Sequence, residues 1–261
     1  MKVVILCGGL GTRMREETEF RPKPMVKIGS RPILWHIMKI YASRGFKDFV
    51  LCLGYKGEVI KDYFFNYEIY NNDFTVHLGR SKTIDVHDSS DDLDWRVSLV
   101  DTGEAAQKGA RVKKIEHLLD GDDFMLTYGD GVADIDVGDL LEYHRTHGRI
   151  GTVTGVRPPS LFGELKVGED RQVELFTEKP QTSSGLISGG FFVFSHRIFE
   201  YLSTDDECDL ERGPLEQLAL EGELKVYELR RQWACADTYR DLEHLNALWN
   251  SRRAFWKVWP D

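Results

Sequence analysis

Residues 6–26, LCGGLGTRMREETEFRPKPMV, place glycines 8, 9 and 11 directly behind an apolar run and follow them with Arg13, Arg15, Arg21 and Lys23. In a chain of formal net charge −9, a local gathering of cations points to an anion. Glycines let backbone N–H groups close on a phosphate, and a loop leaving the C-terminal end of a strand is where open α/β sheets bind ligands. Arg13 adds a forked, permanently charged donor suited to phosphate oxygens. Lys23 lies between Pro22 and Pro24, which restrict the backbone on both sides. The loop is not G-x-G-x-x-G, because Met14 stands where the third glycine would be, and no G-K-[ST] follows to make it Walker A. Taken alone it suits either a cradle for several phosphates or a tight turn with solvated charges.

Three further stretches carry chemistry-bearing residues. In YGDG, 128–131, Asp130 ends an apolar run between glycines, a place suited to holding Mg2+ as well as to an Asx turn. In FTEKP, 176–180, Lys179 can meet a second phosphate, or pair with Glu178 at an exposed strand end. In WACADTYRD, 233–241, Asp237 precedes a helical pattern, where an N-cap Asp is common without any further role. His144 and His147 share a helix face without further ligands, so a metal site there is disfavoured. Trp249, Trp256 and Trp259 alternate with basic residues, a pattern that in an acidic chain reads as a packed tail or subunit contact rather than a base-stacking platform. No Ser-His-Asp or Cys-His arrangement stands out, and G-x-S-x-G is absent.

The elements that position these residues alternate in type. KVVILC reads as a buried strand, and SRPILWHIMKIYASRG as a helix with Ser30 at its N-cap and Gly45 at its end. DFVLCLG, WRVSLVDTG and DFMLTYGDG read as strands; GEVIKDYFFNY, RVKKIEHLL and VGDLLEYHRTHG read as helices. The alternation predicts an α/β fold with a mainly parallel central sheet and helices on both faces. From about residue 151 strand-like segments dominate, with helices around ERGPLEQLALEG and YRDLEHLNALWNS and the strand ELKVYEL between them. The segment 79–94 is polar and acidic and reads as an exposed loop or hairpin. The 261 residues, with 41% apolar content and no linker, fit a single domain whose halves meet near residue 150.

The acidic balance argues against nucleic acid and membrane surfaces as partners, and no apolar run approaches the roughly 18 residues of a membrane helix. Cys7, Cys52, Cys208 and Cys235 form no CxxC pair, and KVVILC is too short for a signal segment, so reduced thiols in the cytoplasm are expected.

GGLGTRM with RPKPMV downstream resembles the signature of the sugar-1-phosphate nucleotidyltransferases, G-G-x-G-T-R-L followed about ten residues later by P-K-P. ILWHIMKIYASRG, GYKGEVIKDYF, WRVSLVDTGE, LTYGDGVAD, FGEL, EKP, SGGFFVFS and AFWKVW extend the resemblance along nearly the whole chain, toward the branch that joins CTP to glucose 1-phosphate. The resemblance implies a Rossmann-like nucleotidyltransferase fold with a β-rich acceptor side. It implies the reaction CTP + α-D-glucose 1-phosphate → CDP-glucose + pyrophosphate with Mg2+, and a homo-oligomer, a hexamer being the form considered, with the aromatic tail as a contact surface. Carried over by motif, Leu6, Gly8, Gly9, Leu10, Gly11 and Thr12 line the nucleotide with Gly129. Arg13 faces the triphosphate tail, and Lys23 the reacting phosphates. Asp130 and Asp237 hold the metal, Thr102, Gly103 and Glu104 lie near the base, and Arg111 near the phosphates. Glu178, Lys179, Ser188 and Gly189 meet the acceptor. Two departures concern that acceptor: the family's N-G-G reads Ser188-Gly189-Gly190, and its W-x-P-M-D-T reads Trp233-Ala234-Cys235-Ala236-Asp237-Thr238. They leave open another phosphorylated acceptor, base choice does not follow from spacing, and a non-catalytic sugar-nucleotide sensor is the reading from a different class.

Overall fold

Val3 and Ile5 pack into one apolar cluster and Val4 and Leu6 into another, so the first strand is covered on both faces. A strand buried in this way belongs inside a sheet layered between helices. The computed structural model describes residues 1–79, 82–87, 93–121, 123–158, 164–167, 171–177 and 185–260. Its strands are β1 (Lys2–Leu6), β2 (Lys27–Ile28), β3 (Arg31–Pro32), β4 (Asp48–Leu53), β5 (Phe74–Leu78), β6 (Lys82–Val86), β7 (Arg96–Asp101), β8 (Phe124–Tyr128), β9 (Gly131–Ala133), β10 (Gly151–Val156), β11 (Glu164–Val167), β12 (Val173–Thr177), β13 (Ile187–Phe194), β14 (Leu224–Leu229) and β15 (Trp233–Cys235). The α-helices are α1 (Arg15–Thr18), α2 (Ile33–Ala42), α3 (Gly57–Phe65), α4 (Tyr67–Asn71), α5 (Lys108–Lys114), α6 (Val137–His147), α7 (Glu216–Leu220) and α8 (Tyr239–Asn250).

Seven strands form one sheet in the order β14-β10-β13-β8-β1-β4-β7. β1 is parallel to β4 and β8, β4 to β7, and β10 to β14, while β13 runs antiparallel to both its neighbours. After residue 150, β10, β13 and β14 therefore extend the same sheet, while β11 pairs with β12 and β15 with β9 in separate two-stranded sheets. From β1 the chain first adds β4 and β7 on one side and then β8 on the other, so the order reverses beside β1. The C-terminal ends of β1 and β8 border that switch point, the usual ligand crevice of an open α/β sheet.

Element boundaries depart from the sequence reading where backbone chemistry intervenes. Ser30 does not cap α2; Pro32 stands at that position without a side-chain cap, because Lys27–Ile28 and Arg31–Pro32 pair as a small antiparallel bridge first. α5 begins at Lys108 and gives way to a 3-10 turn at Glu116–Leu118 instead of continuing. Only Glu216–Leu220 is α-helical in ERGPLEQLALEG: Gly213 at φ +105°, with Pro214 behind it, distorts the start. The exposed hairpin is present as β5–β6, beginning five residues before the polar stretch. The aromatic tail is not a free contact surface. Trp256 is fully buried and Trp259 nearly so, with Trp256 Nε1 facing His36 Nδ1 at 3.4 Å. His144 and His147 both bond the Thr152 hydroxyl at 2.8 Å, tying α6 to β10.

Candidate active site

The loop after β1 turns on Gly11, whose φ of +62° leaves no room for a side chain: a Cβ would stand 2.6 Å from Thr18 Cγ2. Thr18 closes the turn by donating its hydroxyl toward the Gly11 and Met14 carbonyls at 3.1 and 3.0 Å. The prolines around Lys23 do what their restricted φ predicts. Lys23–Met25 forms a 3-10 turn closed by Met25 N–H to Pro22 O at 2.8 Å, with Pro24 and Met25 buried. Pro24 then lies so close to the end of β8 that a Cβ on Gly129 would come within 2.7 Å of its Cγ and 2.9 Å of Leu6 O. Glycine at 129 is what lets the Lys23 turn reach Asp130.

Asp237 arrives from the other end of the chain. β15 pairs antiparallel with β9, Trp233 facing Ala133 and Cys235 facing Gly131, and Ala236 N–H donates to Asp130 O at 2.9 Å. This short sheet starts just after Asp130 and ends just before Asp237, so its register sets the two carboxylates side by side. Asp237 is not the helix cap: Thr238 caps α8 and forms a capping box with Asp241. The Asp237 side chain is thereby left for other partners.

Those partners are cations. Lys23 Nζ lies 2.6 Å from Asp130 Oδ2 and also bonds Asp237 Oδ1; Arg13 reaches Asp237 Oδ2 at 3.3 Å. Burial opposes ionisation of the Asp237 carboxyl, but its hydrogen bond to Lys23 and the charges of Lys23 and Arg13 hold it below the ordinary aspartate value. Burial likewise acts to lower Lys23, and the carboxylate of Asp130, with its hydrogen bond, outweighs it and raises the ammonium above its ordinary value. Cys235 Sγ approaches Asp237 Oδ2 at 3.6 Å, and burial together with that carboxylate pushes the thiol up to about 12, so it stays protonated and unreactive at neutral pH.

Arg111 sits beneath the loop. Its guanidinium donates to Leu53 O, Thr102 Oγ1 and Gly103 O at 2.9, 2.8 and 2.7 Å, and to Gly8 O and Glu104 O at 3.1 Å. It thus joins the segments that follow β1, β4 and β7. A Cβ on Gly8 would stand 2.2 Å from its Cζ, and one on Gly54 2.6 Å from a terminal nitrogen. The cation is 4% exposed, and burial lowers its pKa from the ordinary value. Its bonds go to neutral oxygens, so its charge is left to act on the loop above it.

Together these segments enclose a cavity of about 600 Å³ at the switch point. It is lined by Leu6, Gly8, Gly9, Leu10, Gly11, Thr12, Arg13, Lys23, Glu104, Arg111, Gly129, Asp130 and Asp237 among the residues anticipated from the sequence. Thr102 and Gly103 stand behind the wall, held by Arg111. Ser188 and Gly189 lie on β13 outside this lining, Ser188 exposed and Gly189 buried. Glu178 and Lys179 lie outside the described residues. The lining also contains Pro24, Ala105, Ala106, Gln107, Lys108 and Tyr128, which motif reasoning passed over. Tyr128 had a signal, its place two residues before Asp130 at the end of an apolar strand. Its hydroxyl donates to Glu211 Oε1 at 2.5 Å, an oxygen also bonded by Lys108, a pairing across 83 residues that no local pattern announces.

A pocket with cations, aimed backbone turns and two adjacent carboxylates suits a polyphosphate and a hard divalent cation. Asp130 and Asp237 fit such an ion, since each already presents a carboxylate oxygen to one shared cation, and one or two carboxylates plus phosphate oxygens are what Mg2+ usually takes from a protein site. Among the described residues no group of three or more His, Cys, Asp or Glu is arranged to hold a metal by itself.

Comparison with known proteins agrees with this geometry. Residues 2–257 match the model of the family described as Nucleotidyl transferase. The chain is 45% identical over 260 residues to glucose-1-phosphate cytidylyltransferase of Salmonella typhi, covering 99% of this chain and all of that protein. It is 45% identical over 259 residues to the probable glucose-1-phosphate cytidylyltransferase of Bacillus subtilis, with the same coverage. The crystal structure of HddC from Yersinia pseudotuberculosis superposes with a TM-score of 0.69 at 22% identity, over 95% of this chain and 99% of that one, a likeness of fold. The match along almost the whole length, with the glycine loop, Lys23 and both aspartates converging on one pocket, establishes that this chain belongs to the nucleotidyl transferase family.

Proposed function

We propose that the protein transfers a cytidylyl group from CTP to α-D-glucose 1-phosphate, giving CDP-glucose and pyrophosphate. The observation that carries this reading is the meeting of Lys23, Asp130 and Asp237 at the rim of the glycine loop, in a chain 45% identical along its length to glucose-1-phosphate cytidylyltransferases. The attacking phosphate oxygen is an anion at neutral pH, so no general base is required. The work left to the protein is to hold two polyanions in line and to neutralise charge at the α-phosphoryl and the leaving pyrophosphate.

In this reading Leu6 and the Gly8–Thr12 turn, with Gly129, receive the nucleotide phosphates, and Arg13 takes the triphosphate tail. Arg111 supports them from beneath, Lys23 contacts the reacting phosphates, and Thr102, Gly103 and Glu104 lie toward the base. Glu178, Lys179, Ser188 and Gly189 belong to the acceptor. Family members generally use a divalent metal. Asp130 and Asp237 would hold Mg2+ here, and the ion would supply electrostatic stabilisation of the phosphate oxygens. A homo-oligomer, up to a hexamer, goes with this reading and is tested by light scattering.

The test is pyrophosphate release over four nucleoside triphosphates against a panel of sugar 1-phosphates, with and without Mg2+. Turnover with CTP and glucose 1-phosphate alone is expected. Strong turnover with another acceptor would make Ser188 and the Cys235–Ala236 pair specificity determinants, since a site built around acceptor hydroxyls discriminates through such polar contacts. Nucleotide binding without turnover on any acceptor would replace the transferase reading with a sensor.

A further inference from the structure

We propose that Trp233 is a positioning residue for the acceptor side of the site, its indole N–H holding the Ser188–Gly190 segment in place relative to the Asp130–Asp237 pair. This rests on the reading that a sugar 1-phosphate binds against that segment. β13 runs in register with β8 from Phe194 opposite Phe124 to Phe191 opposite Thr127, and the pairing stops there. Against β10, Phe192 faces Val153 but Ser188 already faces Gly155, so Gly189, Gly190 and Phe191 span the width of Thr154 alone. The extra residues form a bulge, a device that bends a strand and re-aims what it carries.

Neighbours wedge the bulge from two sides. Gly190 adopts φ +80°, and a Cβ there would stand 2.6 Å from the Tyr128 ring; a Cβ on Gly189 would stand 2.6 Å from Val156 Cγ1. Gly189 has no register partner on either flanking strand, and its carbonyl accepts a hydrogen bond from Trp233 Nε1 at 2.8 Å. Trp233 is also the first residue of β15, paired with Ala133 of β9. The short sheet that places both carboxylates therefore reaches across and grips the bulge through a single N–H. Trp233 is half-buried and packs against the main apolar cluster, so its ring stays fixed when the nitrogen is changed. Without that donor the part-buried Gly189 carbonyl loses its tie to β15, and the bulge is free to shift relative to the carboxylates.

Trp233→Phe and Trp233→3-benzothienylalanine test this, the second keeping the bicyclic shape and losing only the N–H. With both, the KM for glucose 1-phosphate is expected to rise about tenfold, which corresponds to about 1.4 kcal/mol of lost acceptor binding. The KM for CTP and the kcat at saturating acceptor are expected to stay close to wild type, and the thermal midpoint to fall by no more than a few degrees, the cost of one lost hydrogen bond. An unchanged acceptor KM in both folded variants overturns the role. So does a common fall in kcat and CTP affinity, which would make Trp233 a support for the carboxylate sheet as a whole. Wild-type kinetics separate the two readings. A wild type that binds CTP but turns over no sugar 1-phosphate removes the acceptor reading and this role together. A wild type active on glucose 1-phosphate and matched by both variants removes only the role of Trp233.

Discussion

Replacing Arg111 by Met keeps an unbranched stem that reaches about as far as the Arg Nε and removes the guanidinium from beneath the glycine loop. Five acceptors lose a donor, but not equally. Leu53 O keeps Thr102 Oγ1 at 2.7 Å and Thr102 N–H at 3.0 Å, and the Thr102 hydroxyl keeps that same bond as donor. Gly8 O is bonded in the buried interior, whereas the bonds to Gly103 O and Glu104 O lie nearer the pocket, where water can replace the donor. An abandoned buried acceptor costs about 1–3 kcal/mol, so one fully buried carbonyl and two half-exposed ones together give a loss of about 4 kcal/mol. That is a large fraction of the roughly 5–15 kcal/mol by which domains are stable. Urea unfolding at unchanged m-value reads the loss directly, and calorimetric titration with CTP reads the consequence for the loop, expected as at least tenfold weaker binding. Arg111→Lys restores the charge without the fork, and is expected to recover nucleotide binding more than stability. An Arg111→Met protein within about 1 kcal/mol of wild type would refute the reasoning, because the carbonyls would then be satisfied without the guanidinium.

Asp130→Asn and Lys23→Ala are each expected to lower turnover by on the order of 10²-fold or more, as for other lost electrostatic stabilisers; near-normal kcat in either removes that residue from the reacting phosphates. Gly190→Ala forces a side chain into a left-handed backbone position 2.6 Å from the Tyr128 ring, and should lower the thermal midpoint and weaken acceptor binding together. An alanine variant with wild-type acceptor KM would show that the bulge does not frame the acceptor. The Lys23–Asp237 contact gives a pH signature. Asp237 is depressed below its ordinary 3.8, so its contribution is complete above that pH and is lost as pH falls through the lower folded value. Lys23 is raised above 10.5, so its contribution is complete below that pH and is lost as pH rises through the higher folded value. The stability difference between wild type and Asp237→Asn should therefore be flat across neutral pH and shrink only at the acid and alkaline ends; a change centred near pH 6 to 8 would contradict the assignment.

The glycine loop was legible because its determinants are local. Glycines at 8, 9 and 11 free the backbone and prolines flanking Lys23 restrict it, each by its own covalent structure, whatever the rest of the chain does. The apolar runs at 2–6, 48–53 and 124–128 read as buried strands for the same reason, and the C-terminal ends of the first and last of them border the cavity. What tertiary structure decided is which distant groups those local devices meet. Asp237 read as a plausible helix cap, and only the β9–β15 register, with Thr238 taking over the cap, turns its carboxylate onto Lys23 across 214 residues. Arg111 read as a phosphate contact by resemblance, and the fold shows its donors committed to carbonyls of three separate loops. The tryptophan tail offered itself as a surface and was buried against α2, since apolar area is interchangeable and only packing chooses its partner. The Gly189–Trp233 bond and the Tyr128–Glu211–Lys108 cluster have no sequence signal at all. Backbone restriction is written residue by residue, whereas hydrogen-bond partners far apart in sequence exist only once the sheet order and register have brought them within about 3 Å of each other.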